Sequence, residues 1–282
     1  MAGVVLLGKQ VATPPATIGV SGIALGFAVL IVLGTVALSL PMSRAAGQRW
    51  DLLDAFFTAT SAVCVTGLVV VDTATHWSTV GQGVILGLIQ LGGLGVMTAS
   101  MFILIILRRP ISFRDRFELR EASRPGNIRS VAGLLWATVL LTVVLEALGA
   151  AALWYRLGGL EGNPEALWFG VFHAISAFNN AGFDLTGNFA SLAPFSGETV
   201  ILLILALLAI LGGFGALVLI DLLTKRSWKR LAPNSKMVLC TSGILLAVGF
   251  AGILFAEFAN DNTLGALGLV DRLTNAFFHS AV

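Results

Sequence analysis

Two short stretches of the chain could do chemistry with bare peptide oxygens: Cys64-Val65-Thr66-Gly67 and Asn179-Asn180-Ala181-Gly182. Each follows a run of small, aromatic and polar residues, Phe56 to Val63 and Val171 to Phe178. Setting Gly67 on Gly182 puts Ser61 on Ser176, Ala62 on Ala177, Ala59 on Ala174 and Phe57 on Phe172. A glycine allows backbone angles that aim carbonyls inward, which a residue with a Cβ resists. Rings of such carbonyls replace the hydration shell of an ion. Neither loop holds a carboxylate, so a large dehydrated monovalent cation fits better than Ca²⁺, which takes charged oxygen ligands. A structural re-entrant hairpin would have the same polarity. Duplication with matched small residues and glycine favours ion-pore loops.

The elements around these loops must sit in a bilayer. The chain has 282 residues, 57% of them hydrophobic and 11% charged, against about 25% charged in a soluble domain. This is an all-α integral membrane protein by composition. Residues 1–17 read as an N-terminal leader with Pro14-Pro15, and Ile18 to Leu40 as a first span of about the 20 residues a crossing needs. Asp51 to Ala62 reads as a short helix capped by Asp51, with Asp54 in its first turn, where negative charge suits the helix dipole. Twelve residues at about 1.5 Å each cover little more than half of a roughly 30 Å hydrocarbon core. It is predicted to be a half-crossing, with Val63 to Leu68 as its return loop. His76-Trp77 reads as interfacial.

Gln82 to Leu107 is the second predicted span, completing a first unit over residues 18–107. A basic loop follows over 108–130. Val131 to Trp154 is the third span. Asn163-Pro164-Glu165 reads as the start of a second half-helix ending at Phe178. Glu198 to Leu223 is the fourth span and closes a second unit over 131–223. A second basic loop occupies 224–236. Met237 to Phe258 is the fifth span, and Asp271 to Val282 begins a third half-helix, leaving an incomplete third unit over 237–282. The 108–130 loop carries Arg108, Arg109, Arg114, Arg116, Arg120, Arg124 and Arg129; the second carries Lys225, Arg226, Lys229, Arg230 and Lys236. By the positive-inside rule both loops are cytoplasmic, so each half-helix enters from outside with its partially negative C-terminal end toward the membrane centre.

The segments Phe57 to Leu68 and Ser176 to Phe183 resemble the first and second filter loops of the Trk/Ktr/HKT superfamily of potassium transporters. The similarity is closest to its KtrB-type membrane subunits. Gln90-Leu91-Gly92-Gly93-Leu94-Gly95-Val96-Met97-Thr98 and Leu211-Gly212-Gly213-Phe214-Gly215 resemble the second-helix motifs of that family. The resemblance implies span–pore helix–filter loop–span units as in potassium channels, four in all and pseudo-fourfold around one pore. The chain then covers two and the start of a third, stopping shortly before a third glycine. It implies K⁺ as the transported ion, ligated by the backbone of Cys64, Val65, Thr66, Gly67, Asn179, Asn180, Ala181 and Gly182. It also implies sodium dependence, and a homodimer in the cell membrane, in bacteria the inner one. The regulatory nucleotide would be bound by a cytosolic KtrA-like ring of partner subunits rather than by this chain.

Two other functional classes stand beside this reading. An intramembrane enzyme would use His173, His279 and an acid, but the sequence has no HExxH pair, no paired catalytic aspartates and no nucleophile elbow. A truncated form would serve as a non-conducting regulatory or scaffold subunit. Nothing points to nucleic acid or to a covalent cofactor. Gly92-Gly93-Leu94-Gly95 lies inside a span, where small residues let helices approach rather than bind a dinucleotide. Among acids in or near spans, Asp221 and Glu257 are expected to reach water from span ends. Glu146 is expected either to pair structurally or to serve the pore or dimer. His173 is expected to be packed, with His279 as its counterpart.

Overall fold

The computed structural model describes residues 20–95 and 131–282. The predicted leader, the 108–130 loop and the second span beyond residue 95 lie outside the described residues. Among the described residues there are ten α-helices and no β-strand. They are α1 (Val20–Ser39), α2 (Leu52–Val63), α3 (Thr73–His76), α4 (Thr79–Gly93), α5 (Val131–Arg156), α6 (Ala166–Phe178), α7 (Thr199–Phe214), α8 (Ala216–Lys225), α9 (Pro233–Glu257) and α10 (Leu269–Ala281).

By length and composition, Trp136–Arg156 within α5 and Pro233–Glu257, which is α9, suffice to cross a membrane. Together α7 and α8 also suffice, but they meet at 92°. The predicted unbroken span from Glu198 to Leu223 is therefore two helices. The break falls at Gly215, whose φ of 77° is open to glycine and strained for other residues. Both flanks are apolar, so the sequence reads as continuous across it.

Helix α2 has the predicted length and cap: Asp51 Oδ1 accepts the Leu53 N–H at 2.7 Å. Helix α6 begins at Ala166, later than the predicted Asn163-Pro164 start. Asn163 instead caps a turn ahead of the helix, its Oδ1 accepting the Glu165 N–H at 3.1 Å.

Two apolar cores hold these helices. The first packs Leu38, Ala55, Ala59, Val63, Ile85 and Ile89 around α1, α2 and α4, and it takes in Phe172, Ala181 and Phe183 from the following unit. The second packs Leu153, Ala174, Phe178, Leu202 and Leu205 around α5, α6 and α7, and takes in Phe278 from α10. Each core thus borrows an aromatic from the next short helix, so neighbouring units cannot separate without opening a hole of aromatic size.

Outside these cores, polar side chains tie the units together. Gln82 accepts the Trp168 Nε1–H at 2.7 Å and donates to the Trp77 carbonyl at 3.1 Å. Asp72 Oδ2 accepts the Phe189 N–H at 2.8 Å, while its Oδ1 caps α3 by accepting the Thr75 N–H at 2.9 Å. Burial pushes the Asp72 pKa up, but the hydrogen bonds from Phe189, Thr75 and Ala74 together outweigh it and hold the carboxyl below its ordinary value. His76 and Trp77, read as lying at the membrane interface, are buried within the protein. They pack edge to face, and Trp77 bridges back to Arg44.

Candidate functional site

The two glycine loops adopt one backbone conformation. Cys64 and Asn179 cap their helices with the same angles, φ −82° and ψ 0°. Val65 and Asn180 then turn left-handed at φ 53° and 55°, and Gly67 and Gly182 both sit at φ 76°. The hydrogen bonds match as well. Cys64, Val65 and Thr66 donate to Thr60, Ala62 and Ser61; Asn179, Asn180 and Ala181 donate to Ile175, Ala177 and Ser176. These bonds consume the loop N–H groups and close the helix ends. Among the described residues, no donor is hydrogen-bonded to the carbonyl oxygens of Cys64, Val65, Thr66 or Gly67, or of Asn179, Asn180, Ala181 or Gly182. Peptide oxygens left without a protein donor are open to water or to an ion.

The loops also touch. A Cβ on Gly67 would stand 3.1 Å from the Gly182 Cα and close against the Ala181 carbonyl oxygen; one on Gly182 would stand 3.3 Å from the Gly67 Cα. All eight residues named from sequence therefore belong to two adjoining loops. Ala181 is buried while Cys64, Thr66, Asn180 and Gly182 are exposed. Cys64 is a free thiol.

A second pair of glycines sets the distance between each loop and the following helix. A Cβ on Gly92 would run into the carbonyl of Val63, the last residue of α2; one on Gly212 would run into that of Phe178, the last of α6. Small residues here let α4 and α7 rest directly on the helix ends that feed the loops.

His173 is packed behind the second loop. Its ring stacks on Phe169, with centroids 3.7 Å apart. Its Nδ1 lies 2.9 Å from the Phe169 carbonyl and its Nε2 accepts the Leu185 N–H at 3.3 Å. The neutral tautomer with a proton on Nδ1 satisfies both contacts, leaving no free nitrogen for chemistry. Its counterpart His279 is exposed. Ser176 adds a clamp that sequence reading missed, its hydroxyl donating to the Phe183 carbonyl at 2.6 Å.

Glu146 is buried and paired. Its Oε1 accepts the Asn179 side-chain amide at 3.0 Å, and Gln90 hydrogen-bonds the same carboxyl. Asp221 does not reach water as predicted. It is 3% exposed, paired with Lys225 Nζ at 2.7 Å, and accepts the Ala232 N–H at 2.8 Å. Glu257 closes the turn after α9 through Asn260 and Thr263, at 2.7 and 2.6 Å. Among the described residues, no group of three His, Cys, Asp or Glu side chains could hold a metal ion.

A family model described as TrkH, cation transport protein, matches residues 9–281. The chain belongs to that family. It is a membrane protein of the KtrB type within the Trk/Ktr superfamily, whose named relatives are transporters rather than enzymes. It is 38% identical over 268 residues to the Ktr system potassium uptake protein B of Bacillus subtilis, covering 95% of this chain and 58% of that protein. It is 38% identical over 258 residues to the potassium/sodium uptake protein NtpJ of Enterococcus hirae, covering 92% and 56%. It is 35% identical over 263 residues to the Ktr system potassium uptake protein B of Vibrio alginolyticus, again 92% and 56%. The chain thus spans a little over half the length of these relatives.

Proposed function

We propose that this chain forms part of a potassium uptake pathway whose selectivity filter is built from backbone carbonyls of Cys64 to Gly67 and Asn179 to Gly182. The observation that carries this is the pair of adjoining loops with closely matched torsions and unpaired peptide oxygens. A dehydrated K⁺ supplies what those oxygens lack, and its ring of neutral dipoles replaces water without a carboxylate. Helices α2 and α6 act as pore helices. Each enters from the outer face, stops partway, and points its negative end at the ion. Residues 18–107 and 131–223 are then two span–pore helix–filter–span units, 237–282 opens a third, and 108–130 and 224–236 face the cytosol.

The printed names of the relatives support K⁺ as cargo, with Na⁺ as a second ion on the NtpJ precedent. The Ktr system names support further subunits. In this reading the chain pairs as a homodimer, and a cytosolic nucleotide-binding ring docks near the basic loops. Rubidium uptake with sodium competition, in cells lacking their own potassium import, tests the filter. Gly67→Ser is expected to lower discrimination against sodium, because its Cβ crowds Ala181 and Gly182 at a left-handed φ. Unchanged discrimination would overturn the assignment.

A further inference from the structure

Asn179 opens the second loop, and its side chain is held by three helices at once. Its Nδ2 lies 2.9 Å from the Ile175 carbonyl, 3.0 Å from Glu146 Oε1 and 3.2 Å from Gln90 Oε1. An amide has two hydrogens, so these acceptors fully occupy it. Its Oδ1 rests against Gly93, where a Cβ would overlap it. Gln90 and Gly93 lie on α4 of the first unit, Glu146 on α5 of the second. When Gly67 is set on Gly182, Cys64 and Ile31 stand at the places of Asn179 and Glu146. The first loop therefore has no such tether, and the buried acid belongs to the seam between units rather than to the repeated pattern.

We propose that Glu146 is a positioning residue for ion selectivity: by accepting a hydrogen from the Asn179 side chain it fixes the start of the second loop, and with it the aim of the carbonyls from Asn179 to Gly182. This deepens the filter assignment and rests on it. Glu146 touches no ion. Its hydrogen bonds span α4, α5 and α6 next to a cleft of about 560 Å³ lined by Gly87, Gln90, Glu146, Trp168 and Ile175. Truncating the acid enlarges that space and removes the α5 acceptor of the Asn179 amide, leaving Gln90 Oε1 and the Ile175 carbonyl of its own helix. The loop start is then tied to α4 alone.

The test uses the protein at its natural length, with rubidium uptake and sodium competition measured at matched membrane abundance. Glu146→Ala is expected to lower rubidium-over-sodium discrimination about tenfold, the scale of one buried hydrogen bond lost. Glu146→Gln keeps an acceptor oxygen and is expected to restore discrimination to within about threefold of the original. The double variant Glu146→Ala with Asn179→Ala should be no worse than the weaker of its two parents, because both remove one interaction. Equal damage from Glu146→Gln and Glu146→Ala would show that charge, not the hydrogen bond, matters, and would overturn the proposal; so would additive losses in the double variant. If Glu146→Ala fails to accumulate, Asn179→Ala alone decides, since it removes the donor and keeps every backbone oxygen. Undiminished discrimination there refutes the tether. If Gly67→Ser alters discrimination while Asn179→Ala does not, only the tether fails. If neither does, the filter assignment itself fails.

Discussion

Adding one methyl group to either of two consecutive glycines should have opposite effects. At Gly212 the new Cβ would collide with the Phe178 carbonyl oxygen and stand 2.7 Å from its carbon and 3.3 Å from its Cα. Those atoms are backbone at the end of α6, so they cannot swing aside as a side chain could. Either α7 moves off or the α6 terminus yields. Overpacking of this kind costs about 1–3 kcal/mol. At Gly213 the nearest neighbour is Asn180 Nδ2 at 3.9 Å, an ordinary contact. There alanine should be neutral or stabilise α7 by about 0.5–1 kcal/mol, by removing glycine's entropic cost. The two variants should then differ by about 1–4 kcal/mol. At about 2–4 °C per kcal/mol for a chain of this size, their thermal midpoints separate by at least roughly 2 °C. Thermal unfolding in detergent, followed by loss of the monodisperse species, measures this directly. Because α7 rests on the helix that feeds the second loop, Gly212→Ala should also slow rubidium uptake. Equal midpoints for the two variants, or a lower one for Gly213→Ala, would refute the close contact between α7 and the end of α6.

Asp72 gives a pH-dependent expectation. Its folded pKa is depressed, so the stability it contributes is present above the unfolded carboxyl value of about 3.9 and is lost as pH falls through the lower folded value. Asp72→Asn should lower the midpoint at pH 7, and the gap to the parent protein should narrow as the pH falls below about 3.9 toward the lower folded value; a gap that stays constant as the pH is lowered would contradict the role given to the carboxylate. Gly182→Asp should abolish rubidium uptake, whereas Asp221→Ala should mainly reduce thermal stability, because Asp221 is tied to Lys225 and Ala232 away from the loops. A greater loss of uptake per molecule at the membrane for Asp221→Ala would reverse that ranking.

What could be read from sequence was local. Asp51 and the small residues behind it specified a capped, twelve-residue α2, because capping and helix length depend on neighbours in the chain. The matched spacing of Gly67 and Gly182 located both loops, because glycine sits easily at the second left-handed turn of each. The bend at Gly215 was hidden, since a break in backbone direction leaves no mark on hydropathy when both flanks are apolar. Burial of His76 and Trp77 was missed because their aromatic and polar character suits an interface and a packed seam equally. Glu146 stood out as a buried acid, but its partners lie on α4 and in the loop after α6. Nothing local to α5 could have named them. The same holds for Asp72 reaching Phe189.

Anomalous diffraction from the protein at its natural length, crystallised in rubidium, would test the ion site most directly. The loops described here require a rubidium peak beside Gly67 and Gly182, within coordination distance of peptide oxygens from both segments. A peak held instead by the Glu146 carboxyl, or loops whose oxygens face packed side chains with no ion near them, would contradict the account.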